Sequence, residues 1–340
     1  MAKGANDIQF RCQHVLSGHG RAVSSVKFAP SAGLLASASA DKTVCLWNLE
    51  TGAKQQTLAG HTAGISDVAW NPNERYLATA ADDCTLKLWD AETGVCLRTL
   101  TGHTNFIMSC NFDAAGHLLA SGSFDETLRL WDVRSGKCLR EVPAHSDPVT
   151  AVNFSYDGTM IVSSSLDGLI RLWDTQTGHC LKTLFDRESP PVSYAAFSPN
   201  AKYVLCNTLD SRVRIWDYGR GRTVRTYEGG HVNKLYCLPS AFVTSDLGHW
   251  VATGSEDCTV AVYDLNTGEI VSSIPGSPPA VDGASAAGLN GDEAAAAAGG
   301  GHCGPVLAIG GHPSRPVIAT GGHSPDNTVR VWEATRVAAA

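Results

Sequence analysis

The sequence lacks the features of a membrane-spanning or secreted protein. No apolar run approaches the roughly 18 residues of a membrane helix, and the first residues, MAKGANDIQF, contain no apolar core of a signal peptide. The 11 cysteines are an odd number, with no CxxC pair and no Cys/His spacing of a metal site. We therefore expect a soluble protein of a reducing compartment, with no membrane contact, no disulfide framework and no bound metal.

A basic excess is also missing. Lys and Arg number 26 against 33 Asp and Glu, which gives a formal net charge of −7 at pH 7. Proteins that bind nucleic acid directly usually present a basic face to the phosphates. The charge therefore predicts no direct nucleic-acid contact and favours a cationic protein partner.

Catalytic signatures are absent as well. The sequence has no Walker phosphate loop, no GxSxG and no HExxH. The run His145-Ser146-Asp147 contains the residue types of a hydrolytic triad. Neighbours on one chain cannot align as nucleophile, base and orienting group, so we expect no catalytic residue, no cofactor and no enzymatic activity.

What the sequence does contain is a repeat. The stretch from Gly102 to Asp132, GHTNFIMSCNFDAAGHLLASGSFDETLRLWD, holds three β-type runs separated by turn residues, and VRSGKCLREV adds a turn and a fourth strand. The spacing from His to Trp is 28 residues in four copies: His19 to Trp47, His61 to Trp89, His103 to Trp131 and His145 to Trp173.

Further aromatic residues extend this period. Trp216 follows Trp173 by 43 residues, and weaker copies close at Tyr263 and Trp332. A period near 42 with Gly-His and Trp-Asp signatures is typical of WD40 repeats, which contribute four strands to each blade of a propeller. The sequence therefore predicts an all-β fold, a seven-bladed WD40 β-propeller.

Four positions at fixed offsets explain why the spacing is so regular. In the third blade they are His103, Ser121, Asp125 and Trp131, which in WD40 propellers form a hydrogen-bonded chain across the blade. A buried carboxylate is tolerated only when it is fully hydrogen-bonded. Blade five keeps Asp210 and Trp216 but has Cys206 for the hydroxyl and no Gly-His; blade six has His231, Thr253, Asp257 and Tyr263; blade seven keeps Asp326 and Trp332 and is the most degraded.

The chain ends and one tract fall outside the blades. We expect a flexible tail over residues 1–8, a propeller over 9–336 and a second tail over 337–340. The strand Phe10–Ser17 should complete the seventh blade, because a ring of sheets needs its edges closed. Ser277–Gly301, rich in Ala and Gly, predicts a flexible loop between blades six and seven. Cys96, Cys138 and Cys180 occupy one repeated position, which we expect to be a buried strand position.

The repeat also predicts which residues line the central channel. In each blade, the residue before the Asp of the hydrogen-bonded network should lie at one mouth of the channel. These residues are Ala40, Asp82, Phe124, Leu166, Leu209 and Glu256. A second ring should lie five residues after each His, with Cys237 near the same place in blade six: Ser24, Ser66, Met108 and Thr150. Two carboxylates at this mouth would suit an Arg or Lys side chain or a free amino terminus of a partner.

Several stretches are more specific than the repeat. GISDVAW (64–70), SGSFDE (121–126), PAHSDPV (143–149), SSSLDGLIRLWDT (163–175), PPVSYAAFSPNAKYVL (190–205) and YEGGHVNKLYC (227–237) resemble the WD40 subunit of COMPASS/MLL-type histone H3 lysine-4 methyltransferase complexes. The resemblance implies a nuclear, non-enzymatic chromatin scaffold. Its implied partners are a SET-domain methyltransferase, accessory subunits and the histone H3 tail.

The resemblance also implies an arginine pocket in the channel mouth. That family holds the guanidinium of a partner peptide between two aromatic rings. The pocket positions in this chain, including the wall residue Met108, are Ser24, Ala40, Gly64, Ser66, Asp67, Asp82, Met108, Phe124, Ser193, Tyr236 and Cys237. This chain has Met108 and Pro239 in place of the aromatic pair, and Leu166 in place of a rim Tyr. We therefore expect an arginine peptide to bind more weakly here.

A second site implied by the resemblance is a groove on the opposite face, which takes an acidic-hydrophobic segment of another subunit. The matching residues are Asn200, Tyr203, Ile215, Arg225, Phe242, Leu265 and Asn266.

Two alternative functions stay open. The run Trp131-Asp132-Val133-Arg134 resembles the WDxR box of substrate receptors for cullin-RING ubiquitin ligases, although Arg134 also suits an exposed turn. The other alternative is a general WD40 adaptor, cytoplasmic or ciliary, whose channel has lost its ligand.

Overall fold

Short antiparallel strands make up the regular structure. The computed structural model describes residues 8–277 and 300–336, and within them every regular element is a β-strand. The strands are β1 Ile8–Leu16, β2 Val23–Phe28, β3 Leu34–Ser39, β4 Thr43–Asn48, β5 Lys54–Ala59, β6 Ile65–Trp70, β7 Tyr76–Ala81, β8 Thr85–Asp90, β9 Cys96–Thr101, β10 Ile107–Phe112, β11 Leu118–Ser123, β12 Thr127–Asp132, β13 Cys138–Pro143, β14 Val149–Phe154, β15 Met160–Ser165, β16 Leu169–Asp174, β17 Cys180–Phe185, β18 Val192–Phe197, β19 Tyr203–Thr208, β20 Arg212–Asp217, β21 Arg222–Tyr227, β22 Ser240–Ser245, β23 Gly248–Gly254, β24 Val260–Asp264, β25 Ile270–Ile274, β26 Val306–Gly311, β27 Val317–Gly322 and β28 Val329–Arg336.

The strands form seven antiparallel sheets of four, one for each blade. Blade one is β2–β5, and each following set of four strands makes blades two to six. Blade seven has the order β1-β28-β27-β26, with Cys12 opposite Trp332. The prediction of a seven-bladed propeller closed by the N-terminal strand is confirmed. Ile8, which the sequence analysis placed in the tail, is the first residue of β1 and is buried.

Burial falls from the inner strands to the outer strand of each blade. The second strands β7 and β11 are buried along nearly their whole length, whereas the outer strands β9, β13 and β17 are mostly exposed. Cys96, Cys138 and Cys180 begin these outer strands and are exposed, so the expectation that they are buried was wrong. Their repeated position belongs to the outer rim, which faces solvent.

The apolar core lies between neighbouring blades as well as within each sheet. One cluster joins Leu86 and Leu100 of blade two to Ile107 and Phe112 of blade three, and Trp131 closes it. Gly122 is required at another such junction, because a Cβ there would lie 2.6 Å from a methyl of Val149. The blades are thus held together by direct packing of their inner strands.

The predicted hydrogen-bonded chain is present in blades one to four. In blade three, His103 Nδ1 lies 2.8 Å from Asp125 Oδ2, His103 Nε2 lies 2.8 Å from Ser121 Oγ, and the Trp131 indole donates to Ser121 Oγ at 2.9 Å. Since a carboxylate only accepts, Nδ1 carries the imidazole proton and Nε2 accepts from the hydroxyl. The same connections join the corresponding residues of the other three blades.

Blade seven is better preserved than expected. His302 pairs with Asp326 and lies 2.7 Å from Thr320 Oγ1, which accepts from the Trp332 indole at 2.8 Å. His302 and Thr320 were not predicted as members of the network, because the long tract before them obscures the period. Gly301-His302 is nevertheless a Gly-His pair, and Thr320 follows it at the same offset of 18 residues as Ser121 follows His103.

Blade five replaces the network with an ion pair. Arg214 Nη2 lies 2.6 Å from Asp210 Oδ2, and Thr208 also donates to that carboxylate. Cys206 occupies the hydroxyl position, and the buried Trp216 indole N–H has no hydrogen-bond partner among the described residues. The guanidinium therefore takes over the role that imidazole has in the other blades.

Blade six departs in a different way. His231 Nδ1 lies 2.8 Å from the Tyr263 hydroxyl, while Asp257 accepts from Thr259 within its own turn. The predicted hydrogen bond between Asp257 and His231 is therefore not formed. The Tyr263 hydroxyl lies farther from its own backbone than an indole N–H would, so it reaches the imidazole directly. Burial lowers the pKa of His231 to about 4.

Three expectations lie partly or wholly outside the described residues: the N-terminal tail, the C-terminal tail and most of the Ala/Gly tract. Residues 1–7, 278–299 and 337–340 are not described. The ends of the tract are described, and they meet, with Ser277 N donating to His302 O at 2.9 Å. In the described segments, no helix is long and apolar enough to cross a membrane.

Candidate functional site: a channel cavity and a groove on the opposite face

Bulges in the innermost strands direct side chains into the channel. In β2, β6, β10, β14, β18 and β26 the pairing register slips by one residue near the strand start. A bulge leaves its extra residue unpaired and re-aims the side chain. The residues skipped are Ser24, Ser66, Met108, Thr150, Ser193 and Leu307. Four of these form the predicted second ring.

These side chains surround a cavity of about 290 Å³. Every residue predicted for the arginine pocket except Phe124 lines it, as does Pro239. Phe124 is outside this lining and packs against Phe106, with ring centroids 6.0 Å apart. The structure thus brings these residues together around one concave surface.

Asp82 is the acidic group best placed to meet a cation in this cavity. Its Oδ1 accepts from Ser66 Oγ at 3.0 Å, and Oδ2 accepts no hydrogen bond from the described part of the chain. Burial raises the pKa of the carboxyl, while the Ser66 bond acts in the opposite direction. A cation bound beside it would favour the charged form of Asp82.

Asp67 lines the same cavity but has a structural role. Its oxygens accept from Ser25 Oγ at 2.7 Å, Ser109 Oγ at 3.1 Å and Cys110 N at 3.1 Å. It therefore ties the inner strands of blades one, two and three together. Because both carboxylate oxygens already accept hydrogen bonds, Asp67 acts on a ligand in the cavity through its negative charge more than through a direct hydrogen bond.

Most hydroxyls of the bulge ring are also committed. Ser24 Oγ donates to Ile65 O, Thr150 Oγ1 to Val192 O at 2.8 Å, and Ser193 Oγ to Leu238 O at 3.4 Å. Each bond joins one blade to the next. Two carboxylates, Asp67 and Asp82, line the cavity against one ammonium, that of Lys27, so the cavity is better suited to a cationic ligand than to an anionic one.

Four residues predicted at the mouth do not line the cavity. These are Phe124, Leu166, Leu209 and Glu256. Glu256 Oε1 instead accepts from the backbone N–H groups of Lys234, Leu235 and Tyr236 at 2.6 to 3.0 Å. The expectation that Glu256 lines this mouth as a second carboxylate was therefore wrong, because its side chain binds the backbone of the extra loop of blade six.

The cavity also includes residues that the sequence analysis missed. Leu307 comes from blade seven, and Lys27 and Tyr194 come from deeper in the inner strands. Leu307 lies five residues after His302, so the Gly-His signal of blade seven would have located it. On the remaining wall, burial raises the pKa of the Cys237 thiol to about 11, which keeps it neutral near pH 7.

All seven residues predicted for the second site line one groove of about 490 Å³ between blades five and six. Its floor is apolar, with Tyr203 and Ile215 on one blade and Phe242 and Leu265 on the other. The Tyr227 hydroxyl donates to Leu265 O at 3.0 Å and fixes the two blades relative to each other. Arg225 is the one Arg or Lys side chain in this lining, and it forms no salt bridge within the described residues.

The cavity and the groove open at opposite ends of the blades. The cavity mouth carries Ala40 and Asp82, which lie in turns between second and third strands. The groove is lined by Asn200, between the first and second strands, and by Asn266, between the third and fourth. Antiparallel strands place these two classes of turn at opposite ends, so a ligand at one site leaves the other open.

Arg134 of the WDxR run is exposed on the groove side of the ring, and its backbone N donates to Asp132 Oδ1 at 3.3 Å. No group of three or more His, Cys, Asp or Glu side chains that could hold a metal ion occurs in residues 8–277 and 300–336.

Comparisons with known proteins cover nearly the whole ring. The family model described as the WDR5 beta-propeller domain matches residues 15–333. Protein Mut11 of Chlamydomonas reinhardtii is 66% identical over 341 residues, 98% of this chain and 92% of that protein. The Lissencephaly-1 homolog of Dictyostelium discoideum is 44% identical over 45 residues, 13% of this chain and 11% of that protein. This last similarity has the length of about one blade.

Proposed function

This chain belongs to the family of WDR5 β-propeller domains, and from that premise we propose that it is a non-enzymatic scaffold that holds two protein partners on opposite faces of one ring. The proposed setting is a core-subunit role in a nuclear histone H3 lysine-4 methyltransferase complex. The proposed partners are a SET-domain methyltransferase, accessory subunits and the histone H3 tail. The proposal includes no cofactor, no membrane contact and no direct contact with nucleic acid.

One observation carries this proposal. Two concave sites of opposite charge character open at the two ends of the same blades. The cavity presents the partly open carboxylate of Asp82, and the groove presents the unpaired guanidinium of Arg225 over an apolar floor. A rigid ring that offers both sites can hold two segments at a fixed separation, which is the mechanical requirement of a scaffold.

For the cavity we propose an arginine side chain of a partner peptide as the ligand. The guanidinium would donate to Asp82 and to backbone carbonyls near Met108 and Cys237, where the bulge and the irregular blade-six segment interrupt the ladder. Met108 and Pro239 provide apolar walls without π faces. Each missing ring removes about 0.5–2 kcal/mol of cation–π attraction, so binding should be weak.

For the groove we propose an extended segment that combines carboxylates with apolar side chains. The apolar side chains would cover Tyr203, Ile215 and Leu265, and a carboxylate would pair with Arg225. A bidentate Arg–carboxylate pair adds orientation as well as binding energy.

Isothermal titration with an Ala-Arg peptide tests the cavity. We expect the double substitution Met108→Phe and Pro239→Phe to tighten binding by about 1–3 kcal/mol, since it restores two rings beside the guanidinium. Asp82→Asn should weaken binding by about 1–2 kcal/mol in both backgrounds, because it removes the charged acceptor.

Asp147→Asn is the matched control, because Asp147 is an exposed carboxylate of a blade-four turn outside the cavity lining. It should leave the affinity unchanged, and an Ala-Lys peptide should gain less than Ala-Arg from the added rings. If the double variant binds no Ala-Arg peptide, the arginine assignment is wrong, whereas a result for the groove would be unaffected.

A further inference from the structure

A second groove lies on the same face, between blades two and three. It encloses about 800 Å³, larger than the groove between blades five and six. Its lining includes Tyr76, Leu88 and Arg98 of blade two and His117, Val133 and Arg134 of blade three. The first groove has similar residues at the first five of these positions, namely Tyr203, Ile215, Arg225, His249 and Leu265, and Asn266 at the sixth.

The repetition extends to the strand register. Leu88 pairs with Ala78 on one side and Arg98 on the other, as Ile215 pairs with Leu205 and Arg225. On the neighbouring blades, Val133 N donates to His117 O at 3.0 Å, and Leu265 N donates to His249 O at 2.9 Å. The two grooves are therefore equivalent sites built from equivalent positions, three blades apart.

This combination of residues occurs at these two blade junctions and at no other in the described ring. It joins a Tyr at the start of the second strand, an Arg on the outer strand and a His at or just before the start of the second strand of the next blade. Between blades three and four the same positions are Leu118, Arg140 and Thr159. The repeat alone therefore does not require the combination, because the other junctions form without it.

The charges favour an anionic occupant. Arg98 and Arg134 form no salt bridge within the part of the chain that the structure describes. The carboxylate of Asp132, also in the lining, accepts from Ser135 N at 3.1 Å and from the Ser135 hydroxyl, so it serves its own turn. Arg75 lies over the Tyr76 ring at 5.6 Å, but its Nε is 3.6 Å from Asp90 Oδ2, so its charge is already paired.

We propose that the groove between blades two and three docks a second extended segment of the same class, acidic with apolar side chains. Its apolar side chains would lie on Tyr76, Leu88 and Val133, and its carboxylates would pair with Arg98 and Arg134. The choice of occupant rests on the function proposed for the groove between blades five and six. The protein would then hold two such segments on one face.

Isothermal titration with the peptide acetyl-Glu-Asp-Leu-Asp-Leu-Glu-amide tests this. We expect two peptides per chain for the unaltered protein, one for Arg98→Glu plus Arg134→Glu, and one for Arg225→Glu. The three changes together should weaken binding at least tenfold, and the Gln/Asn version of the peptide should bind weakly to every variant. Arg140→Glu is the matched control, because its guanidinium already donates to Gln176 O, and it should keep two peptides.

The outcomes separate the two proposals. One peptide per unaltered chain that is lost with Arg225→Glu alone overturns the second groove and leaves the first. One peptide that is lost only with Arg98→Glu plus Arg134→Glu supports the second groove and refutes the first.

A measurement on the unaltered protein avoids dependence on folded variants. The same peptide with benzoylphenylalanine in place of its first Leu should crosslink to chain segments containing Leu97 or Val133 as well as to those containing Leu265. Crosslinks confined to the groove between blades five and six, or absent from both grooves, would overturn the proposal.

Discussion

Replacing Asp125 with Ala should remove a large part of the stability of blade three. Asp125 Oδ2 accepts from His103 Nδ1 at 2.8 Å and Thr104 N at 3.0 Å, and Oδ1 accepts from Thr127 N at 3.0 Å and Thr127 Oγ1 at 2.7 Å. Although burial alone would raise it, the bonds from His103, Thr127 and Thr104 hold the pKa of Asp125 well below its usual value.

The size of the effect follows from the donors left behind. His103 has a fully buried side chain, and the Asp125 side chain is 7% exposed, so water reaches this site poorly. A buried donor without a partner costs about 1–3 kcal/mol, and the variant removes the acceptor of four donor groups, of which His103 Nδ1 is the most deeply buried. With partial relaxation of the site, we expect the free energy of unfolding to fall by about 2–4 kcal/mol.

Asp217→Ala is the control for this measurement. Asp217 accepts from Arg220 N at 2.9 Å in an exposed turn, so its loss should cost less than about 1 kcal/mol. Urea unfolding at pH 7, followed by tryptophan fluorescence, compares the two variants with the unaltered protein. The contribution of Asp125 should be present above about pH 4 and decline as the pH falls, because its pKa is lowered in the folded state. Coinciding unfolding curves for the two variants would refute the reasoning.

Two further predictions concern His231 and the Ala/Gly tract. Burial lowers the pKa of His231 to about 4, so between about pH 6.5 and pH 4 the unfolded chain binds a proton that the folded chain does not. The free energy of unfolding should therefore decline by about 3 kcal/mol as the pH falls from about 6.5 to about 4. His231→Asn should reduce this dependence of the unfolding free energy on pH, and an unchanged dependence would contradict the assignment. Replacing residues 278–299 with a short Gly-Ser linker should change the melting temperature by no more than a few degrees, since the free energy of loop closure depends weakly on loop length. Gly301→Ala should lower the melting temperature clearly, because a Cβ there would lie 1.7 Å from Pro275 O. Equal melting temperatures for these two variants would contradict the prediction.

The fold was predictable because each blade is encoded locally. The offsets from His103 to Ser121, Asp125 and Trp131 lie within one blade, and the Asp125 carboxylate has its hydrogen-bond partners in that same blade. Where the offsets were interrupted, prediction was weaker. The tract before His302 obscured blade seven, and Tyr263 changed the network of blade six without changing its sheet.

The candidate sites were predictable only in part. The positions around the cavity were named from the repeat and from the family resemblance, and the bulges of the inner strands explain why they face the channel. The free or committed state of each group was not predictable. Glu256 and Asp82 occupy the same place in their repeats, yet Glu256 holds a neighbouring loop while one oxygen of Asp82 stays open.

The sequence by itself determined the number of blades, the strand order within each and the strand that closes the ring, because these depend on periods and offsets along the chain. The tertiary structure alone decided what lies between blades. The hydrogen bond from Ser24 to the next blade and the grooves at Arg98 and Arg225 depend on neighbouring sheets meeting at a fixed register. That register comes from closing seven blades into one ring, so no single repeat specifies it.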